Sequence, residues 1–378
     1  MFGVFEVCAL DAPKLVRARR LAMISCASQQ ACAICNFEVL ALGSTTSIVG
    51  ESQASPALNK SDSKYGPTSL MSDPVSWRIH IGAHKTGTTH LQDYLSQHRE
   101  ALCAAGVDFL PRPIVRSTQI RRCLKPKKSS WFPSVFARRR TLSEILGALR
   151  AGPDTVVVSE ESLIGKYHGL YQSPIYPELE KRLSLIARDF GRDRLRLFVS
   201  IRDYSELLPS VYSQCLRQGK KIPAFEEFRK QLVTNPPNWH EFIERIHNTV
   251  PGVPLTVWTH EDYIDFNTEI MSHFCGTTVP AGTMIPAPKQ TRRLSASTVM
   301  AIEGLDPSLS KQEYEAEVKK LCDADDGSHK HDPFDSTEKA ELSNLYLQHL
   351  QQIRSSFPNV LLSFESRRSP EKPVAPVR

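Results

Sequence analysis

The hydrophobic pattern is clearest where it alternates. Ile79 and Ile81 alternate with polar neighbours in Trp77-Arg-Ile-His-Ile-Gly82, which predicts a strand running into a turn. Leu91 and Leu95 then recur at helical spacing from Thr88 onward. Thr155-Val-Val-Val-Ser159 and Leu195-Arg-Leu-Phe-Val-Ser-Ile201 are short β-branched or apolar runs of the kind buried in a parallel sheet, and Leu255-Thr-Val-Trp258 is a fourth strand. Val107-Asp-Phe-Leu-Pro111 reads only as a short extended segment. Between these runs the spacing changes to the helical period. Helices are predicted over Thr141 to Ala151, Pro177 to Gly191, Asp203 to Gln218, Ala224 to Leu232, Asn238 to Val250 and Asp265 to Cys275. Further helices follow over Leu294 to Leu305, Gln312 to Leu321 and Thr337 to Phe357. Strands alternating with helices predict a three-layer α/β/α domain with a central, mostly parallel sheet.

This pattern is confined to part of the chain. Residues 1 to 70 lack periodicity and are expected to hold little fixed structure, the domain is expected over 71 to 366, and a Pro-rich tail follows from 367. Met71 stands a few residues ahead of the first strand, so the native chain is expected to start there. Leu21 to Phe37 is uncharged and follows Arg17, Arg19 and Arg20, but Gln29, Gln30 and Asn36 interrupt it, and no membrane anchor is expected. The nine scattered cysteines form no dense disulfide framework, which points to a reducing, cytoplasmic setting. The Cys32/Cys35 pair has no second pair at metal spacing, and Asp323-Ala-Asp-Asp326 with His329 and His331 lacks the spacing of a calcium loop. No metal is expected.

Charge adds one local feature. Lys and Arg total 47 against 41 Asp and Glu, a small excess, yet no acidic residue falls between Phe109 and Ser143, where ten basic ones do. This insertion, about 111 to 140, reads as a solvated loop or as a lip that attracts an anionic substrate. Aromatic residues are too sparse in it for a nucleic-acid platform, and no nucleic-acid partner is expected.

The candidate chemistry begins in the turn after the first strand. Gly82 and Gly87 have the glycine spacing of a phosphate-binding loop, whose backbone N–H groups and following helix N-terminus face an anion. A nucleotide-hydrolysing loop carries Lys directly after the second Gly and then Ser or Thr for magnesium. Here Thr88 takes that slot, and the Lys lies two residues before the second Gly, in His84-Lys85-Thr86-Gly87-Thr88-Thr89.

This Lys-x-Gly-Thr-Thr core resembles the loop of the sulfotransferase family, which holds the 5′-phosphosulfate of the donor PAPS (3′-phosphoadenosine 5′-phosphosulfate). A second motif agrees. The family's 3′-phosphate site takes an Arg at a strand end and a Ser eight residues later on the following helix, and Arg202 and Ser210 stand at that spacing. The resemblance covers roughly Arg78 to Leu305. It implies that His84, Lys85, Thr86, Gly87, Thr88 and Thr89 hold the phosphosulfate, that Arg202 and Ser210 hold the 3′-phosphate, and that Arg292 or Arg293 closes the donor site. The Arg-Lys-Gly of cytosolic members is missing at that last segment. Lys85 would neutralise charge on the leaving phosphate. The acceptor would be a hydroxyl- or amine-bearing small molecule or carbohydrate. Glu160, Glu161 and His168 compete for the general base, with the glutamates favoured and His84 a weaker candidate. The rival readings are an atypical nucleotide kinase or NTPase and a non-catalytic anion-binding module. Neither the acceptor nor the oligomeric state is legible from the sequence.

Overall fold

The computed structural model describes residues 75–116, 141–219, 221–234, 236–281 and 292–364. The expectations for residues 1 to 70, for the start at Met71, for Cys32 and Cys35, for most of the basic insertion and for the tail lie outside these residues.

Five strands form one parallel sheet in the order β2-β3-β1-β4-β5, with β1 Ser76–His80, β2 Val107–Leu110, β3 Thr155–Ser159, β4 Leu195–Ile201 and β5 Leu255–Thr259. The central β1 pairs with β3 (Ile79 opposite Val158) and with β4 (Ile79 opposite Leu197). The extended segment at Val107 is therefore a fifth strand, pairing with β3 at the sheet edge. It is too short for a period of its own, and Asp108, buried in it, masks the apolar run.

The period-2 alternation divides the side chains between two cores. Trp77, Ile79, Val156, Val158, Leu197 and Val199 enter one, while Val157, Phe198, Trp258 and Phe109 enter the other. The second core is closed by α1 (Thr88–Gln97) through Leu91 and Leu95, joined by α2 (Arg99–Ala104), and by α9 (His260–Asp265) and α10 (Asn267–Cys275), of which the sequence reading foresaw only the second, over Asp265 to Cys275. The one-turn α3 (Arg112–Val115) follows β2. The first core is closed by α4 (Leu142–Gly147), α5 (Leu179–Phe190), α6 (Tyr204–Arg217), α7 (Phe225–Thr234), α8 (Trp239–Thr249), α11 (Ala296–Glu303), α12 (Lys311–Ala324) and α13 (Ser336–Ser356). This is the three-layer α/β/α arrangement. α4 is shorter than its pattern predicts. Thr141 and Glu144 form a capping box at its start, but only Leu142, Ile145 and Leu146 are buried, and Leu149 is left in solvent.

From β1 the chain runs back across β3 to β2, whereas from β4 it continues outward to β5, so the connections leave adjacent strands in opposite directions. In open parallel sheets the crevice at such a switch point collects ligands. The loop after β1 and Arg202 after β4 flank this crevice. Among the described residues, no helix is long and apolar enough to cross a membrane, Cys103, Cys215, Cys275 and Cys322 form no disulfide, and no group of His, Cys, Asp and Glu could hold a metal ion.

Candidate anion-binding site

The loop is held to both neighbouring strands. Beyond β1, Ala83 N–H donates to Ser200 O at 2.8 Å and Ser200 N–H donates to Gly82 O at 2.6 Å, while Glu160 N–H donates to His80 O at 3.0 Å. Beneath the loop lies a chain of buried polar side chains. Thr86 Oγ1 donates its proton to Ala83 O (2.6 Å), so Ser200 Oγ, 2.5 Å away, must donate to Thr86. Ser200 then accepts from Nε2–H of His80 (2.9 Å), and His80 Nδ1 accepts from Ser159 Oγ (2.9 Å). Burial pushes the His80 imidazole down to about 3, so the ring is neutral, as this chain of donors requires.

Gly87 opens α1 with φ +91°, and a Cβ there would lie 3.2 Å from His260 Nδ1 and from the Tyr263 ring, so a side chain would be both strained and crowded. No side chain caps α1, and no acidic residue lies in its first turn. Its N-terminal N–H groups and positive dipole end are thus left for an anion. Thr86 and Thr88 are buried, and Thr89 and Lys85 are half-buried.

Lys85 has φ +66°, a left-handed conformation uncommon for a residue with a Cβ. Its carbonyl accepts from Arg202 Nη1 at 3.1 Å, so the two sequence motifs, 117 positions apart, meet directly. Burial pushes the Lys85 ammonium down to about 8, with Arg202 and Arg217 adding repulsion and Glu161 opposing it. Arg293 contributes to the same repulsion and shares Glu206 with Arg202. Arg292, by contrast, is exposed, and its carbonyl accepts from Arg217. Ser210 is buried on α6, past the turn that begins at Asp203.

The candidate bases are sorted by their partners. Glu160 is buried, and both of its oxygens are engaged, Oε1 by Ser162 N–H (3.0 Å) and Oε2 by Arg116 Nε (2.5 Å). Glu161 gives Oε1 to Arg116 Nη2 (2.9 Å), while its Oε2 is buried and takes no hydrogen bond. Glu161 also packs on the loop, its Cβ lying 3.1 Å from where a Gly82 side chain would begin. His168 sits half-buried on the 3₁₀ turn Tyr167–Tyr171 and acts on His84 electrostatically. The His84 imidazole is pushed down to about 3 by burial, so it is neutral at pH 7. Tyr176 OH accepts the His84 backbone N–H (3.1 Å) and donates to Nδ1 (2.7 Å), which places the remaining ring proton on Nε2. His84 is therefore equipped as a hydrogen-bond donor rather than as a base.

Sequence reasoning missed His80, Ser159, Ser200, Arg116, Tyr176, Glu206 and His260. Gly165 and Gly169 had a readable signal, since small residues allow close approach. A Cβ at either would come within 2.7 or 3.0 Å of the Tyr176 ring that braces His84.

No protein-family model and no curated protein matches the chain significantly. Among solved structures, it is similar to a sulfotransferase from Alicyclobacillus acidocaldarius, with 13% identity and a TM-score of 0.35 over 66% of this chain and 94% of that one.

Proposed function

We propose that the chain is a PAPS-dependent sulfotransferase acting on a hydroxyl- or amine-bearing acceptor, a small molecule or a carbohydrate. The observation that carries this reading is the Arg202 to Lys85 contact at 3.1 Å, which joins a lysine-bearing phosphate loop to a strand-end arginine at one switch point. The surroundings fit a doubly anionic nucleotide. α1 presents an uncapped N-terminus, and the buried Nε–H of Arg202 has no hydrogen-bond partner.

When bound, PAPS supplies an activated sulfuryl group whose S–O bond to the 5′-phosphate breaks as an acceptor oxygen or nitrogen bonds to sulfur. Lys85 and the N–H groups opening α1 stabilise the charge that returns to the phosphate, and Arg202 with Ser210 fixes the 3′-phosphate. Glu161 Oε2 receives the acceptor proton, because Glu160 would first have to give up a hydrogen bond. Arg116 keeps Glu161 oriented from its other oxygen.

Calorimetry with PAP, the desulfated product, without magnesium tests the reading against ATP with magnesium. Metal-free PAP binding is expected, and a preference for magnesium-ATP would replace it with the kinase or NTPase reading.

A pH dependence follows from Lys85. Its pKa in the free protein is lowered to about 8, so the ammonium is present below that pH and lost above it. A bound phosphate favours the charged form and raises the pKa again, so binding takes up a proton above pH 8. PAP affinity is expected to be flat from pH 7 to 8 and then to fall by up to roughly tenfold per pH unit. Titrations between pH 7 and 9.5 check this. Lys85→Arg should abolish the slope, because a guanidinium stays charged throughout.

A further inference from the structure

Glu206 stands where its charge is unexpected. It lies one turn into α6, half-exposed, and its Oε2 accepts from Arg202 Nη2 at 3.0 Å and from Arg293 Nη2 at 2.6 Å. A single carboxylate oxygen thus bridges two guanidinium groups that arrive from separate parts of the chain.

Both arginines also have backbone anchors besides that carboxylate. Arg202 is anchored through Nη1 to the Lys85 carbonyl, and Trp239 Nε1 holds the Arg202 carbonyl at 2.9 Å. Arg293 is buried, and its Nη2 and Nη1 also reach the carbonyls of Glu206 (3.1 Å) and His331 (3.3 Å). With the backbone doing the positioning, what the carboxylate adds is negative charge. It supplies that charge to the two arginines, both of which act on the Lys85 ammonium.

We infer that the Glu206 carboxylate is a built-in counter-anion, which occupies the phosphate-binding face of Arg202 and Arg293 in the free protein and swings into solvent when an anionic ligand enters. Half of its side chain already faces water, so rotation costs little packing. The device keeps two arginines and a lysine from repelling one another while the site is open, and it competes with every anion that enters. Weak cellular anions are thereby rejected, and only a ligand that also engages the loop displaces the carboxylate. This rests on the donor-site reading for the identity of that ligand, but not for the competition itself.

The test is calorimetry of the wild type, Glu206→Gln and Glu206→Ala with PAP and, separately, with inorganic phosphate, with thermal melts to confirm folding. The Gln variant keeps the shape of the side chain and removes its charge. PAP is expected to bind both variants about tenfold more tightly than wild type, which corresponds to roughly 1.4 kcal/mol, and phosphate affinity should rise as well. Equal or weaker binding of both anions in the variants would overturn the proposal, and weaker binding would make Glu206 a positioning residue instead. If no form binds PAP while both variants bind phosphate more tightly than wild type, the donor reading fails and the counter-anion role stands.

Discussion

Lys85→Ala is expected to slow PAP production from PAPS by about 10²–10³-fold, measured with a hydroxyl acceptor that turns over in the wild type. PAP affinity should fall much less, by about tenfold. The asymmetry comes from where charge develops. In the bound donor, the bridging oxygen shares its electrons with sulfur, and as the S–O bond breaks the phosphate gains charge that a nearby ammonium stabilises more strongly than in the ground state. Lys85 is placed for this by an unusual backbone, with φ +66° and its carbonyl held by Arg202. The burial that lowers its pKa also reduces its hydration, so its interaction with an anion is less screened. Equal losses in rate and in affinity would show that Lys85 only binds, and the charge-stabilising role would then have to move to the helix N-terminus.

Trp239→Ala is expected to destabilise the domain by about 3–5 kcal/mol, the usual cost of emptying a fully buried aromatic site, and to lower the melting temperature by roughly 10 °C. Trp239 is completely buried at the start of α8, stacks on Tyr204 with centroids 5.8 Å apart, and donates its indole N–H to the Arg202 carbonyl. One side chain therefore serves both the core and the backbone that carries Arg202. Trp239→Phe separates the two roles, because it restores most of the volume and none of the hydrogen bond. Its melting temperature should recover most of the loss, while PAP affinity should stay several-fold below wild type. Full recovery of affinity in the Phe variant would show that the indole bond does not position Arg202.

The strands that carry the site were legible because burial in a parallel sheet leaves a local trace. Val156 to Val158 is apolar on both faces, Leu195, Leu197, Val199 and Ile201 make one face of the next run apolar, and the structure places both runs beside β1. The turn after β1 was legible for a similar reason, since Gly82 and Gly87 adopt positive φ values of 115° and 91° that other residues avoid. β2 was only half-legible, because its four residues include a buried aspartate paired with Arg99. α9 was missed, because its six residues follow β5 directly, capped by Thr259 accepting from Asp262 N–H, and bury only Asp262 and Tyr263, too few for a helical period to show.

Roles at the site were legible only as lists of candidates. Nothing local distinguishes Glu160 from Glu161, two adjacent carboxylates at one strand end. Arg116 decides between them from 44 positions away by taking an oxygen of each, and the Ser162 N–H completes the difference. The same holds for Arg292 and Arg293, of which only the second turns inward to Glu206.

Thus the sequence alone determined most of the strands and helices, the glycine turn after β1 and the arginine that ends β4, because hydrophobic period and glycine sterics act over a few residues. Tertiary structure alone decided which carboxylate keeps an open oxygen, why His84 is neutral and how far Lys85 is discharged. Those properties depend on desolvation and on charges brought together from distant segments, and neither exists until the chain has packed.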